Sequence, residues 1–195
     1  MAVAESRFEG RDLSVVQHRD LRRLADYWLI KRTGRIMPTR GDIDPTDIPW
    51  ALSRLYLVDY DLASGRFRYR VAGSEVEAMY TDFTGRHSVR GMHLDELLVP
   101  SEAAMVIKRW KPLPERGAIV HMRGLIYSLS NRAAIGERLL LPLSEIDNGP
   151  VTGLIGLTVR TGAVGALAEA DRRIKITYIE ARHLPVTADS LQSKA

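Results

Sequence analysis

Residues 66–85 constrain the fold more than any other stretch of the chain. Arg66-Phe67-Arg68-Tyr69-Arg70-Val71 alternates apolar and cationic side chains, the period of a strand with one buried face. Ala72-Gly73-Ser74 then turns into a short amphipathic segment, and Asp82-Phe83-Thr84-Gly85-Arg86 carries a glycine stop. Strand, small turn, short helix and stop form the front half of a small curved sheet that lays helices over one face. Such a shape offers a pocket or a docking surface and brings no catalytic groups. It points to sensing or adaptor work rather than enzymology.

The flanking sequence extends this pattern. Residues 1–13 are polar and read as loose. Ser14 and Gln17 fit a capping box, and Leu21, Leu24, Ala25 and Trp28 recur at helical spacing, which predicts a helix over 15–33 stopped by Gly34. Tyr27 and Ile30 widen its apolar face, so it must pack on the body or on a second copy. Residues 37–49 hold three prolines and a glycine, a loop with one short helix opened by Pro45. Leu55–Asp61 reads as strand one and 66–71 as strand two, with Phe67, Tyr69 and Val71 on one face and three arginines on the other. Short helices are expected at 74–80 and 94–98. A longer helix opens at Pro100-Ser101, with Ala103, Val106, Ile107 and Trp110 on one side and Pro112 and Pro114 ending it.

The last third is strand-rich. Residues 118–128 alternate, with Val120, Met122 and Ile126 on one side and His121, Arg123 and Leu125 on the other, and Gly124 marks a bulge. Ser130-Asn131 is a turn. Residues 137–144 read as a central strand from the run Leu139-Leu140-Leu141. Asp147-Asn148-Gly149-Pro150 is a hairpin signal before 154–160, and 173–181 is a further strand. The divisions expected are a tail and helix over 1–34, a core over 35–161, an extension over 162–186 and a disordered tail over 187–195. The fold class is α+β, a five-stranded antiparallel sheet with helices on one face, an N-terminal helix and an extra C-terminal strand.

Composition removes several functions. Cysteine is absent, which excludes disulfides, thiolate metal sites, cysteine nucleophiles and cysteinyl-flavin chemistry. No run of 18 apolar residues and no apolar leader occurs, so a cytoplasmic protein is the plain reading. The net charge of +4, from 28 basic and 24 acidic residues, is scattered and forms no recognition stripe, which disfavours nucleic acid.

The order of elements resembles a PAS domain, and more closely the largely alphaproteobacterial PAS group with a helix ahead of the core. The stretches that carry the resemblance are Asp26-Tyr27-Trp28, the loop from Gly34 through Pro38 to Asp42-Ile43-Asp44-Pro45, Phe67-Arg68-Tyr69-Arg70-Val71-Ala72-Gly73, Asp82-Phe83-Thr84-Gly85-Arg86, and Glu137-Arg138-Leu139-Leu140-Leu141-Pro142-Leu143-Ser144. They span about residues 20–160. The resemblance implies a stand-alone signalling or adaptor module that often dimerises, so a homodimer, a signalling protein partner and a small-molecule ligand are the expected associations. Many relatives have a glycine where this chain has Thr81, so the turn after Met79-Tyr80 is expected to be tighter or displaced.

The cofactor is left unknown. Haem in this family commonly takes an axial histidine from the long helix, and residues 101–111 contain none. Met105 reads as core filler, and His121 as a solvated side chain. Asp42, Asp44 and Asp47 read as turn and helix caps rather than a metal site. Two surfaces remain. The inner sheet face gathers the pocket candidates Tyr69, Val71, Met79, Tyr80, Met105, Trp110 and Met122, either a filled core or a ligand cavity. The candidates for a partner surface are Trp28, Arg68, Arg70 and Arg123. Two alternatives stand beside the sensory reading. One is a small lyase- or isomerase-like enzyme using a pocket carboxylate such as Glu102 or Glu137; the other is nucleic-acid binding through the arginine face.

Overall fold

The computed structural model describes residues 5–8, 12–85, 87–129, 132–163 and 173–185. The turn read at Ser130-Asn131 and the tail from 187 lie outside these residues. Among the described residues, seven strands make one sheet: β1 (Glu5–Phe8), β2 (Leu55–Asp61), β3 (Arg66–Ala72), β4 (Ala118–Leu129), β5 (Arg132–Ser144), β6 (Val151–Ala163) and β7 (Lys175–Glu180). Their spatial order is β1-β7-β4-β5-β6-β2-β3. Strands β2 to β6 are the expected five, and β7 is the expected extra strand, antiparallel to β4. Strand β1 corrects the reading of residues 1–13 as loose, because Glu5–Phe8 pairs in parallel with β7.

Five α-helices among the described residues accompany the sheet: α1 (Arg19–Lys31), α2 (Ser74–Thr84), α3 (Leu94–Leu97), α4 (Pro100–Trp110) and α5 (Pro112–Arg116). α1 starts four residues later than the spacing predicts. His18 is its cap, accepting from the Asp20 N–H at 3.1 Å, while Ser14 is bound to Asp12. The proline-rich loop forms three 3-10 turns, Arg40–Asp42, Pro45–Asp47 and Pro49–Ala51, instead of one short helix. α2 continues through Thr81, whose hydroxyl donates to the Glu77 carbonyl at 3.0 Å. The displaced stop is Gly85, at φ +66°, a left-handed position that suits glycine. Pro112 does not close the helical region. It sits at the start of α5, where its missing N–H has no intrahelical partner to lose.

Both sheet faces are covered. In β5 the run Leu139-Leu140-Leu141 is fully buried, so neighbouring side chains on opposite faces are both shielded. Each such leucine stabilises the fold by roughly 1.5–3 kcal/mol. α1 packs on one face through Leu21, Leu24, Ala25 and Trp28. The Trp28 indole N–H donates to the Pro142 carbonyl at 2.9 Å. Trp28 is therefore core rather than a partner surface. α2 and α4 cover the opposite, inner face, where Tyr80 meets Tyr69 and Trp110 meets Tyr56 and Phe67.

One bulge changes which residues share the inner face. The β2–β3 register slips between Leu57 and Val58, so Leu57 faces Val71 while Val58 faces Tyr69. Arg70 is the extra residue. Past the bulge, Val71 no longer follows Phe67 and Tyr69 inward. It is exposed, which corrects its place among the pocket candidates. In β4 the register shift lies between Leu125 and Tyr127, just beyond Gly124.

Candidate functional site

Strand β5 alternates two buried ionic residues between the two covered faces. Glu137 points toward α1, and its neighbour Arg138 points inward. The two residues belong to two different clusters, one on each face of this strand.

On the α1 side, the Glu137 carboxylate accepts from the backbone N–H groups of Gln17 at 2.7 Å and His18 at 2.9 Å, immediately ahead of α1. The His121 ring nitrogen Nε2 lies 2.7 Å from the same carboxylate, on the adjacent strand β4. Burial opposes ionisation of Glu137, but His121 and the two backbone donors outweigh it and hold the carboxyl below the usual glutamate range. A helix N-terminus favours a negative charge at this place. His121 was expected to be solvated. It is only 2% exposed, because α1 covers the face that alternation assigned to water. Arg123, two residues on, stays exposed and donates to the Gln17 side chain. At the other end of α1, the buried Arg32 guanidinium donates to the carbonyls of Ala181, Leu184 and Pro185, the last at 2.7 Å.

On the inner side, the Arg138 Nε–H donates to the Thr158 hydroxyl at 2.9 Å, and the Tyr56 hydroxyl lies 3.3 Å from the same oxygen. The Tyr56 ring lies close against Gly156: a Cβ built there would sit 2.3 Å from the ring. Trp110 stacks on Tyr56, at 6.3 Å between centroids and 10° between planes. Tyr69 and Tyr80 join their hydroxyls at 3.0 Å, and burial, then Tyr80, push the Tyr69 phenol well up. Arg109, half-buried near the end of α4, has its carbonyl bound by the Tyr178 hydroxyl at 3.2 Å.

A strand-built sheet with this connectivity and helices roofing one face is the architecture of a known domain family. The family model PAS_5, described as a PAS domain, matches residues 16–173. The chain belongs to the PAS family. No curated protein and no solved structure matches it.

Within this PAS domain the pocket candidates separate. Tyr69, Tyr80, Trp110 and Met122 are buried on the inner face, and Met79 packs half-buried against the core. Met105 lies half-exposed and is not among the residues of the core, so it leaves the pocket set with Val71. The partner candidates Arg68 and Arg70 are exposed and both bind Asp59, at 3.2 and 2.8 Å. Glu102 is half-buried on α4, and Glu137 is buried on the α1 side, away from the inner face. Asp42 and Asp44 do cap turns: Asp42 accepts from the Thr39 N–H and Asp44 from the Thr46 N–H. Asp47 instead pairs with Lys31 at 2.9 Å.

Sequence reasoning missed Arg138, Thr158, Tyr56 and Arg109. The signal available was an arginine inside an otherwise apolar strand, between Glu137 and the three leucines. A charged residue there must find a buried partner.

Proposed function

We propose that this PAS domain is a cytoplasmic sensory or adaptor module whose inner face takes a small ligand and whose α1 reports the occupancy. In this reading the state of α1 is passed to a second copy of the chain or to a signalling protein partner. The observation that carries it is the pairing of neighbours on β5. Arg138 belongs to the inner cluster and Glu137 holds the backbone ahead of α1. A small rotation of this strand shifts both contacts at once, so a ligand that favours one setting of Arg138 changes the population of docked α1.

Two observations weigh for binding over the alternatives. Glu137 is committed to α1 and His121, and it faces away from the inner cluster, which gives it no reach to a substrate there. Arg66, Arg68 and Arg70 each hold a carboxylate partner, Asp95 with Glu96 for the first and Asp59 for the others. This leaves little net charge on that edge for a phosphate backbone. No helix among the described residues is long and apolar enough to cross a membrane.

The test joins two measurements on the purified chain. Native mass spectrometry should find a retained small molecule. Stripping it should change hydrogen exchange in residues 19–31. Exchange in α1 that is identical with and without any ligand or partner would contradict the reading.

A further inference from the structure

We propose that a gap headed by Arg40, on the sheet face that carries Glu137, is the contact point for an aspartate or glutamate side chain of a protein partner. This rests on the reading that ligand occupancy is passed to such a partner, and it names the chemistry that holds the two together.

Gly153 on β6 stands between Asp59 on β2 and Leu143 on β5. Having no side chain, it leaves a gap there, which Arg40 lines together with Leu57, Leu143, Asp59 and Glu145. The Pro38 carbonyl accepts from the Ser144 N–H at 3.2 Å, which fixes the loop carrying Arg40 beside the end of β5.

The first ground is the unmet capacity of Arg40. Its Nε–H is buried and has no hydrogen-bond partner, and among the described residues its guanidinium makes no ion pair. Buried donors nearly always have a partner. The carboxylates close by do not supply one. Asp59 is taken by Arg68 at 3.2 Å and Arg70 at 2.8 Å, and Glu145 is exposed on the rim. Burial and then the charge of Arg70 make the cationic form of Arg40 harder to hold, and Asp59, Glu145 and Tyr27 offset this only in part. The second ground is the local charge. Arg40, Arg68 and Arg70 stand against Asp59 and Glu145, which leaves one positive charge at the gap.

These two grounds select the guest. A guanidinium donates and cannot accept, and a carboxylate matches its fork with two parallel bonds. One carboxylate balances one charge, whereas a phosphate monoester of nearly two charges meets Asp59 and Glu145 at the rim. Leu57 and Leu143 are buried and keep the base of the gap dry, which strengthens an ion pair formed there. The gap is shallow and open, so it encloses little of a free small molecule. A side chain presented by a second protein brings a surrounding surface that shuts water out of the pair.

Proton–nitrogen correlation NMR of the full chain tests the proposal, since a buried arginine Nε–H gives its own resonance. The probes are acetyl-Ala-Glu-Ala-amide, its counterpart acetyl-Ala-Gln-Ala-amide, acetate and inorganic phosphate, at matched pH and ionic strength. The glutamate peptide should move the Arg40 Nε–H and Gly153 N–H resonances saturably, with Kd of about 1 mM or below. The glutamine peptide, acetate and phosphate should each bind about tenfold more weakly or worse. Arg40→Gln loses no bond to the rest of the chain, so it should keep its fold by the same spectrum and lose about nine-tenths of the Gly153 shift. If it does not fold, the paired peptides on the unaltered chain decide.

Resonances unmoved by the glutamate peptide, equal affinity for the glutamine peptide, or a full response in folded Arg40→Gln would overturn the proposal. Acetate or phosphate binding as tightly as the peptide would overturn the protein source, and shifts that grow with protein concentration alone would assign the gap to a second copy instead. A silent Arg40 in a chain whose α1 exchange answers to a ligand ends this proposal alone. A bound peptide on a chain whose α1 answers to nothing ends the reading of α1 and leaves the Arg40 contact standing.

Discussion

Glu137 is the residue on which the arrangement turns. It is a buried carboxylate satisfied by one histidine and two backbone N–H groups. Glutamine in its place removes the charge and turns one acceptor oxygen into an NH2 group that faces those donors. Glu137→Gln should therefore destabilise the fold by about 2–4 kcal/mol, measured by urea unfolding near pH 7. The pH dependence has a definite sign. The folded carboxyl titrates below the usual glutamate range, so its contribution is complete above about pH 4.3, the ordinary glutamate pKa. It is lost as pH falls through the lower folded value. The stability gap between wild type and Glu137→Gln should stay constant from pH 6 to 8 and close in acid, below about pH 4. A gap that persists unchanged to pH 2 would assign the loss to shape rather than to charge. At this scale the sequence was only half legible. Alternation placed His121 and Met122 on opposite faces correctly, but alternation does not say which face meets water. α1 made that choice for His121. Val71 was misplaced for a different reason: one inserted residue, Arg70, reverses every later position, and nothing in Arg-Tyr-Arg-Val announces it.

Elements hold the site through two close fits. The first is β6 against β2, where Gly156 leaves room for the Tyr56 ring. Gly156→Ala should force Tyr56 off its place and cost about 1–3 kcal/mol, and it should also perturb Trp110, which stacks on that ring. A loss of stability without any change in tryptophan emission would separate Trp110 from this stack. The second fit is α1 on β5. Trp28→Ala should cost about 3–5 kcal/mol, read by chemical denaturation, because Trp28 is fully buried and hydrogen-bonded to Pro142. A loss below about 1 kcal/mol would mean that α1 is docked by its ends alone. The spacing of Leu21, Leu24, Ala25 and Trp28 made the helix legible, and Leu55–Asp61 was legible to the residue. The target of α1 was not. A helical stripe declares that something covers it and does not say whether that is the chain's own sheet or another molecule.

At the scale of the whole molecule, the fold class and the PAS assignment followed from the succession of elements, because local periodicity marks each strand; the pairings of β2 with β6 and of β7 with β4 join strands that are not consecutive, and local periodicity does not carry them. The inner polar cluster was hidden for the same reason. Arg138, Thr158 and Tyr56 are far apart in sequence and meet only when β5, β6 and β2 pair. β5 presents buried ionic residues to both faces, and the proposed function makes inner-face binding and α1 docking one equilibrium. Hydrogen exchange on Arg138→Gln tests this most directly. The account predicts faster exchange in the first turns of α1, on the far side of the sheet from the substitution. Protection in α1 equal to that of the unaltered chain, with changes confined to the inner face, would contradict it.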